Sequence, residues 1–206
     1  MPPDPEATDF QLYGTPENPQ MYQNLPPLTS LPNAEIEARD IAKLLGTTPL
    51  IGAEATRANV LSKMTSAKTI HLATHGLPYG FGVLALAPTN SEEGYLTGFH
   101  IADKFADKKL QADLVVLSAC DTGTGHMSTE GSIGFARPFF MAGVPTVVAS
   151  LWQVPDASTA ELMVDFYKNM QTTNNKAQAL RQAMLKTKEK YPDPYHWAGF
   201  VLFGRP

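Results

Sequence analysis

Short apolar runs alternate with segments of helical period along the chain from residue 33 onward. "DLVVLSA" (113–119) and "PTVVASLW" (145–152) are almost unbroken apolar stretches, as expected of strands buried on both faces of a parallel sheet. "TIHLAT" (69–74), "GVLALAP" (82–88) and "AGFVLFG" (198–204) read as further strands. The intervening segments read as helices. "AEIEARDIAKLLG" carries Ile36, Ile41, Leu44 and Leu45 toward a stop at Gly46, and "ATRANVLSKM" (55–64) and "FHIADKF" (99–105) follow. "GSIGFARPFFMAG" (131–143) is expected to be helical, with Pro138 kinking or breaking it. Asp156 is placed to N-cap "ASTAELMVDFYKNM", and Asn175 with Gln178 opens "KAQALRQAMLKTKEK" in the manner of a capping box. Strands alternating with helices predict a three-layer α/β fold with a mainly parallel central sheet.

The start of the chain breaks this pattern. Residues 1–24 are rich in proline and read as a flexible segment, with "FQLYGTP" (10–16) as an edge strand ended by Gly14 and Pro16. "NLPPLTSLPN" (24–33) reads as an extended connection, and residues 25–206 as one domain. A chain of 206 residues with 43% hydrophobic positions can bury a core without staples. Its net charge of −4 gives no reason to expect a nucleic-acid partner. No run approaches the roughly 18 apolar residues of a membrane span, and the acidic, Pro-rich start is no signal peptide. One cysteine cannot close an internal disulfide, which fits a reducing cytoplasm.

Two of the apolar runs end in reactive side chains. "HLATHG" supplies His75, and "LSACDTG" supplies Cys120, the single cysteine. Ligands of parallel α/β sheets bind beyond the carboxyl ends of the strands, so neighbouring strands would put both residues on one rim. A cysteine nucleophile acts as its thiolate, and a nearby histidine takes the thiol proton or protonates the leaving amine. The backbone N–H groups of Gly76 and Cys120 are placed to form an oxyanion hole. Gly76 also permits a turn closed to other residues. Plainer readings stand beside these: Cys120 as a small buried hydrophobe, His75 as a surface histidine.

The ordered motifs "LPNAEIEARDIAKLLG", "HLATHG", "LSACDTGTG", "EGSIGFARPFFMAGVPTVVASLWQV" and "DPYHWAGFVLFG" carry a resemblance. They resemble the CHAT domain, a largely bacterial relative of caspases and separases that is often fused to tetratricopeptide (TPR) repeats. The resemblance spans roughly residues 25–206. It implies a caspase-like α/β/α sandwich, cysteine endopeptidase activity without a cofactor, and His75 and Cys120 as the dyad. Ser118-Ala119-Cys120-Asp121 departs from the caspase pattern around the cysteine, so the chain is not a caspase proper. The family commonly has an acidic residue where this chain has Gln153.

Separase-like relatives use an acidic pocket to grip Arg or Lys before the scissile bond. Asp121 and Asp156 are the acidic candidates for that pocket here, and Trp152 a candidate wall. Asp156 reads equally as a helix cap, Asp121 as an anchor of its own turn, and Trp152 as packing. The stretch from Leu110 to Ala136 holds no Lys or Arg, which disfavours maturation by a cut at a basic residue. Control by a TPR-containing or other regulatory partner is the expectation, with a protein or peptide as substrate. No metal site is expected: His71 and His75 stand about 13 Å apart along a strand, and His100, His126 and His196 are isolated. A catalytically silent caspase-like interaction module is the alternative, and a thiol hydrolase acting on a non-peptide amide or ester a third reading.

Overall fold

Two Val-rich stretches form the centre of the fold because nearly all of their side chains are apolar. They are β5 (Leu114–Ser118) and β6 (Thr146–Ser150), buried along their whole length. The computed structural model describes residues 28–77, 83–90, 93–119 and 134–206. In it, β1 (Thr69–Ala73) pairs parallel with β5, β5 pairs parallel with β6, and β7 (Phe200–Gly204) closes the sheet antiparallel to β6. The order is β1-β5-β6-β7, a mainly parallel four-stranded sheet.

Alternation along the strands sends side chains to two separate cores. Val115, Leu117, Val147 and Ala149 pack with Val60 and Met64 of α2 (Arg57–Met64), Ile101 of α3 (Gly98–Lys104) and Phe139 of α4 (Ala136–Met141). Leu114, Val116 and Val148 face the other way. They meet Ile41 of α1 (Pro32–Leu45), Phe166 of α5 (Asp156–Met170) and Leu180 of α6 (Lys176–Lys190). The result is a helix–sheet–helix sandwich, with α5 packed against both α1 and α6.

Helix α1 ends at Gly46, whose φ of 66° is the left-handed conformation that glycine adopts without strain. Its buried face differs from the predicted stripe. Ile41 is buried, but Ile36 is 54% exposed and Leu45 44% exposed, while Glu37 is buried to 1%. The reason is a polar partner on the sheet: His71 Nε2 of β1 lies 2.8 Å from Glu37 Oε1. His71 Nδ1 lies 3.3 Å from the Tyr167 hydroxyl of α5. Burial, and then the Glu37 charge, push the Tyr167 phenol well above its ordinary range, so it remains an O–H donor. Donation from Tyr167 to Nδ1 leaves the ring proton on Nε2, facing the carboxylate. A buried carboxylate is tolerated only when paired in this way, and the pairing outweighs the burial of Ile36.

Two other expectations, for Pro138 and for Gly76, are corrected. Pro138 does not kink a long helix; it falls in the first turn of α4, where its missing N–H has no intrahelical acceptor to lose. Residues 131–133 lie outside the described residues. The run "GVLALAP" contributes β3 (Val83–Ala85) to a second sheet. That sheet is antiparallel, in the order β2 (Gly76–Leu77), β3, β4 (Tyr95–Thr97). Gly76 is therefore extended and paired opposite Leu84, and it is not among the glycines with positive φ. The turn that was expected to require a glycine is instead a direct step from one sheet to the other through Thr74 and His75.

Candidate active site

The carboxyl ends of β1 and β5 lie side by side, in parallel register from Thr69↔Leu114 to Ala73↔Ser118. Hydrogen bonding continues one residue further, with Thr74 N donating to the Ser118 carbonyl at 3.2 Å. His75 follows Ala73 by the same number of residues as position 120 follows Ser118. Parallel neighbours run about 4.8 Å apart, so the chain leaves this rim at two adjacent points. Cys120 and Asp121 lie outside the described residues, as does His126.

His75 is held from several directions. Its carbonyl accepts from Ala85 N at 3.0 Å, and the neighbouring Thr74 hydroxyl donates to the Ala85 carbonyl at 2.7 Å. In an antiparallel pair, hydrogen-bonded and non-hydrogen-bonded positions alternate. With His75 bonded to Ala85, the N–H of Gly76 points away from β3. The imidazole is fixed separately, because Nε2 lies 2.6 Å from the carbonyl oxygen of Thr29. A carbonyl can only accept, so the proton sits on Nε2 and the lone pair on Nδ1.

The other strand end has its own brace. The buried Ser150 hydroxyl, at the end of β6, donates to the carbonyl of Ala119, the residue before the cysteine. Ser118 Oγ, one residue earlier, is buried with no hydrogen-bond partner among the described residues.

Trp152 stands just beyond β6. Its indole N–H donates to the Tyr195 carbonyl at 3.2 Å. The backbone of Gly199 comes so close that a Cβ there would meet Val154 Cγ1 at 2.7 Å and Trp152 Nε1 at 3.0 Å. Asp156 is not the N-cap of α5. Pro155 holds that position, and Asp156 is the first helical residue. Its Oδ2 accepts from both the backbone N–H of Asn33 (3.0 Å) and the Asn33 side-chain amide (2.9 Å). The predicted cap of α6 is present on one side: Asn175 Oδ1 accepts from Gln178 N at 2.7 Å. The Gln178 side chain turns instead to the Thr173 hydroxyl.

The remaining described histidines have local duties. His100 Nδ1 accepts from Thr97 N at 3.1 Å and closes a capping box on α3. His196 Nδ1 lies 3.1 Å from the Ser158 hydroxyl, and its ring stacks on Tyr191. Among the described residues no three His, Cys, Asp or Glu side chains converge as metal ligands, and no helix is long and apolar enough to cross a membrane. Sequence reasoning passed over three contributors: Thr29, Asn33 and Ser150. Only Ser150 had a local signal, a hydroxyl at the carboxyl end of an otherwise apolar strand.

A family model described as the CHAT domain matches residues 4–205. The tetratricopeptide repeat protein 28 of mouse (Mus musculus) is 26% identical over 96% of the chain, and that of Homo sapiens 28% identical over 84%. The chain spans about a tenth of the length of these curated relatives, 10% and 8% respectively. Among solved structures, the complex of the Porphyromonas gingivalis RgpB pro- and mature domains aligns with a TM-score of 0.63, at 14% identity. It covers 82% of this chain and 42% of that one. The Arg specific cysteine proteinase gingipain R (RGPB) aligns with the same TM-score at 16% identity, covering 84% of this chain and 41% of that one. The fold is the caspase-like sandwich of these cysteine proteinases.

Proposed function

Because the chain belongs to the CHAT domain family, we propose that it is a caspase-like cysteine endopeptidase with His75 and Cys120 as its dyad. The observation that carries this reading is the direct pairing of β1 with β5, in a register that ends Ala73↔Ser118 just before the two residues. The Thr29 carbonyl supports it by fixing the His75 tautomer with Nδ1 as the basic nitrogen.

In this mechanism Nδ1 of His75 accepts the Cys120 thiol proton, and the thiolate sulfur bonds to the scissile carbonyl carbon. The oxyanion so formed is stabilised by the N–H groups of Gly76 and Cys120. The imidazolium then gives its proton to the leaving amine as the C–N bond breaks. Water adds to the thioester with His75 as base, and carboxylate and free thiol are released. No cofactor enters these steps.

For specificity, Asp121 and Trp152 are the candidates for holding an Arg or Lys before the scissile bond. Asp156, the third candidate, already has one oxygen committed to Asn33. Control by a partner or fused domain fits the absence of Lys and Arg between Leu110 and Ala136. The curated relatives, tetratricopeptide repeat proteins, make a TPR-containing regulator the natural candidate.

Specificity is tested with peptides that differ only at the residue before the cut. Arg and Lys are expected to exceed Leu and Asp by about 100-fold in kcat/KM, the effect of an unpaired acidic pocket on an uncharged side chain. Equal cleavage of all four would remove the basic preference and leave the dyad standing. Absence of cleavage, even with a regulator bound, would favour a silent interaction module.

A further inference from the structure

Helix α1 begins without a side-chain cap of its own, since its N-cap residue is Leu31. The first N–H groups of a helix have no intrahelical acceptor, so they need one from elsewhere. Asp156 supplies it from the start of α5: one carboxylate oxygen takes both the backbone and the side-chain N–H of Asn33. That carboxylate therefore sits at the positive ends of two helices. Four residues before Asn33 lies Thr29, whose carbonyl holds His75 Nε2. Leu28, Thr29 and Ser30 are all exposed, so burial does not fix that carbonyl. The bond from Ala34 N to the Leu31 carbonyl (3.2 Å) and the Asn33–Asp156 tie are where the segment becomes anchored.

We propose that Asp156 is a positioning residue for His75, acting through Asn33 and the Thr29 carbonyl, rather than a residue that grips substrate. The proposal rests on the reading of His75 as the base of a cysteine peptidase. Without the tie, the Thr29 carbonyl is free to leave, Nε2 loses its acceptor, and the imidazole exchanges tautomers and rotates. A substrate guanidinium seeking both Asp156 oxygens would have to displace Asn33 and release the same carbonyl.

The test uses the full chain and reads His75 directly through the ¹⁵N signals of its imidazole, recorded where the ring is neutral. Wild type is expected to show the Nε2–H tautomer. Asp156→Ala should give a mixture of tautomers, Asn33→Ala a smaller change in the same direction, and the double variant no more than Asp156→Ala alone. Asp156→Asn keeps an acceptor oxygen at the same place and should restore most of the wild-type signal, which also guards against a variant that fails to fold. In peptide hydrolysis, Asp156→Ala should lower kcat by about 10- to 100-fold, the range produced by misplacing a catalytic group. KM and the preference at the residue before the cut should stay unchanged. Wild-type imidazole signals in Asp156→Ala would overturn the proposal. So would loss of the basic preference in Asp156→Ala together with unaltered behaviour of Asn33→Ala, since that marks a substrate-binding acid. If wild type hydrolyses no peptide even with a regulator bound, the peptidase reading fails and the imidazole signals still decide the role of Asp156.

Discussion

Replacing His75 with alanine is expected to slow peptide hydrolysis by about 10²- to 10⁴-fold, the usual contribution of a positioned acid–base group. The effect should fall on kcat, because the imidazole moves protons and does not hold the peptide. It should also change the pH profile. A cysteine without a basic partner ionises near pH 8.5, so the residual rate should climb as pH rises toward that value. Wild type, with Nε2 tied to Thr29 and Nδ1 as base, should already be active near neutrality. Initial rates measured from about pH 6 to 9 read both features. A loss smaller than about threefold, with an unchanged profile, would remove His75 from the mechanism.

The second large effect is on stability. Glu37→Ala should destabilise the fold by about 1–3 kcal/mol, the cost of leaving the buried His71 Nε2–H without an acceptor. Glu37 is 1% exposed and His71 Nε2 is 2.8 Å away, so the truncation leaves that donor facing a cavity between α1 and the sheet. Glu37→Gln keeps an acceptor for the Nε2 proton and should lose less. Replacing Glu37 and His71 together with apolar residues of similar volume should recover much of the loss, since removing both partners of a buried hydrogen bond in favour of apolar groups of the same shape can be nearly neutral. Denaturant unfolding of the three variants measures this. A Glu37→Ala variant as stable as wild type would mean that the carboxylate is not what seats α1.

The same residue shows where the sequence was legible and where it was not. The Val-rich runs of β5 and β6 declare themselves, because only a central parallel strand tolerates so long an apolar stretch. The C-terminal end of α1 is equally plain from Gly46. Its rotation was not. A helical stripe containing Ile36 was predicted from local pattern, while the true face is set by His71 and Tyr167, residues distant in the chain that make a buried Glu37 favourable. Pro138 failed for a related reason: its effect depends on whether it lies in a first turn or an interior one, which the tertiary boundary of α4 decides.

The candidate site divides along the same line. The two strand-end motifs announced themselves by residue type, and their proposed juxtaposition rests on the adjacency of β1 and β5 in the sheet. The groups that orient them did not. Thr29 acts through a backbone carbonyl, which every residue carries, and Asn33 meets Asp156 across 123 positions of sequence. Such contacts leave no local periodicity to read.

The proposed mechanism stands on Cys120 as a nucleophile served by His75. Mass spectrometry of the intact protein, treated with a peptide electrophile carrying Arg before the reactive group, tests it most directly. One covalent adduct is expected, located on Cys120, formed in wild type and lost in His75→Ala. A thiol that neither this peptide nor a small alkylating agent modifies, in the folded protein with its regulator present, would show Cys120 to be a sealed core residue and would contradict the claim.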